Sequence, residues 1–240
     1  MIPLVMVHGF MGGRSQWDPQ VPALSPHYDL ITLDLPGFGR NAHLPVLDNI
    51  GGFADWVIAQ LRQQGVTRYH LLGHSMGGMI VQEMARRDRE GIDRLILYGT
   101  GSVGVLPGRF ETIDQSKRRA REDGPIATAR RIAATWFLER EKAAAYEACA
   151  EIAEQSAPAA IPAGLDAMQG WAGSDFLPDI TSQTLVLWGD GDRTYPWDQT
   201  YTLWKGIPAA GLAVVPGCAH AVHLEKPQIF NQLVLDFLGS

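Results

Sequence analysis

A hydroxyl nucleophile needs a serine held where substrate can reach it, a base to take its proton and an acid to orient that base. This 240-residue chain offers a candidate for each. Ser75 stands in Gly73-His74-Ser75-Met76-Gly77, a G-x-S-x-G pattern. The apolar run Tyr69 to Leu72 before it reads as a buried strand, and the apolar segment after it has helical character. Strand, tight turn and helix in that order are what a nucleophile elbow requires. Strand and helix must approach so closely there that a Cβ at Gly73 or Gly77 would clash. Ser75 is then strained at the tip, with a helix N-terminus aimed at developing negative charge. The same residues also fit a Gly/Ser-rich loop, so the pattern acquires meaning only from its partners. Asp192 follows one later apolar run and His220 follows the next. Turns at one sheet edge would bring both to Ser75. Asp190 competes with Asp192 for the part of the acid.

The elements that must position these residues read as alternating strands and helices. Leu4 to Val7 is uninterrupted and apolar, as a strand covered on both faces should be, and ends in His8-Gly9-Phe10-Met11-Gly12-Gly13. In open α/β sheets that edge is where ligands bind. A short helix is expected over Ser15 to Leu24, a strand over Tyr28 to Leu33, and a helix carrying Phe53, Trp56, Val57 and Leu61 that Gly65 ends. The elbow helix runs to about Arg89, and further strands follow at Arg94 to Tyr98, Thr184 to Trp188 and Leu212 to Val215. A last helix shows Ile229, Phe230, Leu233, Val234 and Phe237 on one stripe. Such alternation predicts a mostly parallel sheet flanked by helices. The rhythm breaks between 102 and 180, where helices are expected over Ile126 to Leu138 and Glu141 to Gln155, followed by a stretch punctuated by Pro158, Pro162 and Gly164. This segment reads as a helical cap (102–180) inserted into a core made of 1–101 and 181–240. Phe110, Trp136, Phe137, Met168, Trp171 and Phe176 would either line a pocket over Ser75 or form the cap's own interior.

Composition narrows the class of partner. With 46% hydrophobic residues the chain can bury one sizeable core, and a net charge of −6 gives no electrostatic case for nucleic acid or an anionic membrane. Pro3 to Val7 lacks the basic flank of a signal peptide, and no apolar run approaches the roughly 20 residues of a membrane span. Two cysteines support no disulfide framework, so a cytoplasmic setting is the expectation. The basic run Lys117-Arg118-Arg119 with Arg121, beside Glu122 and Asp123, reads as a solvated face. His220 and His223 without a matching carboxylate do not make a metal site.

Taken together, His8-Gly9-Phe10-Met11-Gly12, Asp34-Leu35-Pro36-Gly37-Phe38-Gly39, the elbow, Leu187-Trp188-Gly189-Asp190-Gly191-Asp192 with Pro196, and His220 with Glu225 and Pro227 resemble the α/β-hydrolases, specifically the small esterase, lactonase and carbon–carbon hydrolase group. The resemblance covers the core and not the cap. It implies an α/β-hydrolase fold with an inserted helical cap. The hairpin that usually precedes the His-Gly strand has no counterpart, so about six strands are expected. It further implies Ser75 as nucleophile, His220 as base and Asp192 as acid, with the backbone N–H groups of Phe10 and Met76 as the oxyanion hole. His8 would fasten its loop. Pocket candidates are His74, Trp136, Phe137, Met168, Trp171, Tyr195 and Val222, with a packed histidine the alternative at His74. The implied activity is hydrolysis of a small-molecule carboxylic ester or lactone through an acyl-serine, favouring apolar or aromatic acyl groups over charged ones, with no cofactor and no metal. A carbon–carbon hydrolase of the meta-cleavage type is the alternative, although such enzymes usually carry Asn at the position of His74 and Trp at that of Ala221. A receptor that keeps the triad is a remoter one. Oligomeric state is not determined by these residues.

Overall fold

The computed structural model describes residues 1–106 and 111–239; Phe110 lies outside them. Six strands, β1 (Leu4–Val7), β2 (Leu30–Leu33), β3 (Tyr69–His74), β4 (Ile92–Tyr98), β5 (Gln183–Gly189) and β6 (Ala210–Val215), pair in parallel in the order β2-β1-β3-β4-β5-β6. The expected six-stranded parallel sheet is therefore what forms. Along each inner strand, side chains alternate between two faces. Val5, Val7, Leu71, Leu95 and Leu97 point into one core, and Leu4, Met6, Leu72 and Ile96 into the other. Covering both faces is what demands the unbroken apolar runs in β1 and β3.

Nine α-helices surround the sheet among the described residues: α1 (Val21–Leu24), α2 (Ile50–Gln63), α3 (Met76–Arg87), α4 (Ile113–Ala134), α5 (Tyr146–Glu154), α6 (Ala160–Gln169), α7 (Trp197–Gly206), α8 (Val222–Glu225) and α9 (Pro227–Gly239). Asn49 caps α2 by accepting from Gly52 N–H at 2.7 Å, and Phe53, Val57 and Leu61 form its buried stripe. On α9 the buried apolar residues are Phe230, Val234 and Leu238, whereas Ile229 is 46% exposed. The stripe expected from sequence is thus rotated, because spacing of four from Phe230 sets the contact line.

All of the described chain between β4 and β5 is helical or irregular, apart from one bridge between Val103 and Ala172. Around that bridge Gly104 N–H donates to Trp171 O at 3.0 Å and Gly173 N–H to Ser102 O at 2.7 Å, so the segment leaves and returns at one point. Its helices differ from the sequence reading. α4 starts earlier, on a capping box in which Thr112 Oγ1 accepts Gln115 N–H while Gln115 Oε1 accepts Thr112 N–H. It kinks at Gly124 (φ 79°, ψ 172°), since the residue before Pro125 is driven out of helical geometry. α6 runs straight through Pro162 and Gly164, which the sequence marks as breaks. Pro162 falls in the first turn, where its missing N–H has no intrahelical acceptor to lose. At Gly164 a Cβ would stand 2.9 Å from the Phe10 ring, so glycine there seats α6 on the loop beside Ser75.

The elbow brings backbone against backbone. A Cβ at Gly73 would fall on the Gly77 carbonyl, and one at Gly77 would fall on the carbonyls of Val7 and His8. Both neighbours are backbone and cannot rotate away. Gly77→Ala is therefore expected to destabilise the protein by about 3 kcal/mol or more, as overpacking does in a rigid core. Gly65→Ala, at φ 73° with nothing within 4 Å of the added atom, should cost only the left-handed strain of about 1–2 kcal/mol. Urea melts of the two variants check the contrast.

Candidate active site

Ser75 links β3 to α3 at φ 57° and ψ −122°, a conformation unfavourable for a side chain bearing a Cβ. Its backbone is over-determined: Ser75 N–H donates to Tyr98 O at 3.0 Å, and Ser75 O accepts from Gly78 N–H at 2.8 Å and Thr100 Oγ1 at 2.8 Å. Such anchoring is what lets strained geometry persist. Met76 is the first residue of α3, so its N–H has no acceptor within the helix. The Gly9 turn lies directly against the elbow, where a Cβ at Gly9 would come within 2.8 Å of Ser75 Cβ. That turn is fastened by His8, whose Nδ1–H donates to Gly9 O at 2.8 Å while Nε2 accepts Leu35 N–H at 3.0 Å.

The loops after β5 and β6 bring an acid and an imidazole to the same edge. His220 Nδ1 lies 2.8 Å from Asp192 Oδ2, and both side chains are essentially inaccessible. Asp192 Oδ1 accepts Thr194 N–H at 2.7 Å and Tyr195 N–H at 3.1 Å, which leaves Oδ2 to accept the hydrogen bond from His220 Nδ1–H. The lone pair of His220 is thereby assigned to Nε2. Asp190, by contrast, is exposed and accepts Gly217 N–H at 2.7 Å. The His220 loop is held by Glu225, which accepts Ala219 N–H at 2.6 Å and Leu138 N–H at 2.8 Å, and by Ala221 N–H donating to Trp136 O at 2.9 Å. The inserted segment is thus bonded to the loop that carries the imidazole.

Behind His220 the rings form a stack. Tyr195 covers one face at 5.7 Å and 18°, and His74 lies 4.5 Å away at 39°. His74 Nε2–H donates to His220 O at 3.1 Å, and its Nδ1 faces Gln16 Nε2 at 3.4 Å. Tyr98 stacks on His74 at 4.5 Å and its hydroxyl donates to His220 O at 2.8 Å. His223 packs on Trp17 at 4.8 Å. Burial holds His74 well below the ordinary histidine range, helped by the neighbouring His220 and His223. Burial likewise lowers His223 to about 3, with His220 adding repulsion. His8 is also lowered, again by burial, against the opposing pull of the Gly9 carbonyl and Asp34.

Ser75 and His220 share one cavity of about 30 Å³, walled by Phe10, Ile132, Thr135, Trp136, Met168, Thr194 and Tyr195. Of the pocket candidates, Trp136, Met168 and Tyr195 are therefore on the wall, and four are not. His74 is packed behind His220. Phe137 is fully buried in the larger core, and Val222 is fully buried in the core beneath α9. Trp171 turns away to donate its Nε1–H to Glu83 Oε1 on α3 at 3.1 Å. Burial tends to raise the Glu83 carboxyl, but hydrogen bonds from Arg86, Arg87 and Trp171 outweigh it and hold the group below its ordinary value. Three wall residues escaped the sequence reading. Ile132 stands one helical turn before Trp136, a spacing that could have found it. Thr194 is two residues from Asp192, and Thr135 carried no signal. Among the described residues no group of three or more His, Cys, Asp or Glu could hold a metal ion, and no helix is long and apolar enough to cross a membrane.

The chain belongs to the alpha/beta hydrolase fold family, whose model matches residues 2–227. It is 27% identical to a putative carbamate hydrolase, RutD, of Agrobacterium fabrum (strain C58), over 98% of this chain and 93% of that protein. It is 28% identical to a 2-hydroxy-6-oxononadienedioate/2-hydroxy-6-oxononatrienedioate hydrolase of a Pseudomonas species, over 98% of this chain and 87% of the relative. Among solved structures it is similar to a thermophilic esterase from Thermogutta terrifontis, with a TM-score of 0.89 and 27% identity, covering 100% of this chain and 90% of that one.

The depressed histidines make stability depend on acid. Each stays neutral when folded but protonates near pH 6.5 when unfolded, so below that pH the unfolded chain binds more protons and stability falls. The contribution is fully present above about pH 6.5 and, for His223, is lost progressively as pH falls toward about 3. Within the window each group contributes a slope of about 1.4 kcal/mol per pH unit. Denaturant melts between about pH 7 and 5 should show this slope, and His223→Gln should reduce it by about one group's share.

Proposed function

We propose that the protein is a serine hydrolase that cleaves a small carboxylic ester or lactone through an acyl-Ser75 intermediate. The observation that carries this reading is the cavity shared by Ser75 and His220, with the His220 tautomer set by Asp192 at 2.8 Å. His220 Nε2 takes the Ser75 proton as Oγ bonds to the substrate carbonyl carbon, and the tetrahedral oxyanion is met by the N–H groups of Met76 and Phe10. Collapse expels the alkoxide, which leaves with the proton from His220. Water, deprotonated by the same imidazole, then adds to the acyl carbon and releases the acid and free Ser75. Asp192 does not exchange a proton; it orients the ring and stabilises the imidazolium.

The wall of Phe10, Ile132, Trp136, Met168 and Tyr195 supports an apolar acyl subsite. A space of about 30 Å³ holds little more than one water, so the inserted segment acts as a lid whose Trp136 and Met168 side chains yield to substrate. Carbon–carbon hydrolysis of a dienoate is the second reading, favoured by the Pseudomonas relative's named substrate. Nothing in the proton transfers calls for a cofactor.

Ser75→Ala should remain folded and lose ester hydrolysis by several orders of magnitude, and a fluorophosphonate probe should label Ser75 alone by peptide mass spectrometry. Labelling elsewhere, or activity retained in the variant, refutes the assignment. Turnover of a dienoate in preference to 4-nitrophenyl acetate would favour the second reading. The two tryptophans should separate. Trp136→Ala is expected to change the order of kcat/KM among acetyl, hexanoyl and benzoyl esters. Trp171→Phe leaves Glu83 short of a donor and should cost about 1–3 kcal/mol of stability while keeping that order.

A further inference from the structure

Beside the serine pocket lies a second cavity of about 220 Å³, whose wall includes Arg119, Arg131, Arg140, Arg193, Glu141 and Thr135. Thr135 lines both spaces, and the consecutive residues Arg193 and Thr194 contribute one side chain to each. Four guanidinium groups around one opening are not a product of composition, since the chain carries 20 basic residues against 26 acidic ones. Arg119 and Arg131 are neutralised locally: Glu111 lies 3.3 Å from the first and 2.9 Å from the second, and Asp123 lies 3.9 Å and 3.5 Å away. Arg140 and Arg193 have no carboxylate within ion-pair distance among the described residues; Arg193 Nη2 reaches only Leu138 O at 3.4 Å. Arg140 is held at φ 52°, a left-handed conformation that costs a non-glycine residue about 1 kcal/mol or more. Arg131 also keeps a buried Nη2 donor without a hydrogen-bond acceptor. Glu141 is the acid of the wall itself, outnumbered by the two unpaired cations.

We propose that this cavity is an anion subsite of the serine pocket, and that the substrate carries a carboxylate which Arg140 and Arg193 hold while its ester or lactone carbonyl stands at Ser75. This inference rests on the serine-hydrolase reading and names the substrate class within it. Guanidinium forks match a carboxylate in shape and charge, and unlike ammonium groups they bind it through two parallel N–H donors. One side chain comes from the inserted segment and the other from the Asp192 loop. A carboxylate between them therefore bridges lid and core and fixes the position of the reacting carbonyl. The neighbouring apolar wall then reads as the seat of the short chain that joins carboxylate to carbonyl. The preference expected from the sequence, for uncharged acyl groups, is replaced by one for half-esters of dicarboxylic acids.

The test compares mono(4-nitrophenyl) glutarate with its neutral methyl ester, two substrates that differ at the distal end by one charge and one methyl group. Wild-type protein should show kcat/KM at least about tenfold higher on the charged ester, as charge-assisted hydrogen bonds imply. In the Arg140→Gln/Arg193→Gln variant the charged-to-neutral ratio should fall by about the same factor, and added salt should shrink the wild-type ratio. A ratio near one in wild type, or one unchanged by the substitutions, overturns the subsite and leaves the Ser75 reading standing. A binding arm keeps the two readings separate: calorimetry of glutarate with Ser75→Ala protein, with and without the two arginines. Weaker glutarate binding on loss of the arginines supports the subsite even if neither ester is turned over, a result that would count against Ser75. Equal glutarate binding overturns it.

Discussion

The interaction on which the site depends is the contact of backbone with backbone at the elbow. α3 can start against β1 only because the positions facing the Val7 and His8 carbonyls and the Gly77 carbonyl carry no side chain. That closeness forces Ser75 into its left-handed geometry, and its hydrogen bond to Tyr98 O, with those its own carbonyl accepts from Gly78 and Thr100, keeps it there. The same closeness sets the Gly9 turn beside the serine. Strain at one residue is thus maintained by the packing of three strands.

Around this point the protein accumulates neutral imidazoles. His74, Tyr98 and His223 occupy the space between the elbow and the His220 loop, where burial holds both imidazoles below the ordinary histidine range. A charge there would be buried and unpaired, which is costly. The arrangement gives the His220 ring a stiff backing, with Tyr195 on its other face. Rigidity of this kind suits the base role proposed for His220.

The inserted segment is joined to the core at several distinct places. Glu225 binds Leu138 and Ala219 at once, so the inserted segment and the imidazole loop share one carboxylate. Glu83 reaches Trp171 from α3, next to the bridge where Val103 meets Ala172. Between those ties lie the wall residues Ile132, Thr135 and Trp136, whose side chains see both the pocket and, through Thr135, the arginine-lined cavity. Hydrogen bonds therefore tie this stretch to the loops that hold Asp192 and His220.

Local chemistry was readable wherever backbone geometry dictates residue type. Glycines at 73 and 77 around a serine between strand and helix are what a close strand–helix approach demands, and unbroken apolar runs at β1 and β3 follow from burial on both faces. The six-stranded parallel sheet and the turns bearing Asp192 and His220 were legible for the same reason. Side-chain destinations in the inserted segment were not. Trp136 and Trp171 are alike in type and setting, yet one lines the pocket and the other is claimed by a buried carboxylate on α3. Pro162 and Gly164 break a helix in isolation but fit one whose first turn and whose contact with Phe10 need them. Arg140 and Arg193 lie 53 positions apart in the sequence, and only folding puts them on one cavity wall. Sequence alone determined what each residue can tolerate around its own backbone. Which groups meet across the lid was decided by tertiary packing, because those contacts join segments whose spacing along the chain carries no period.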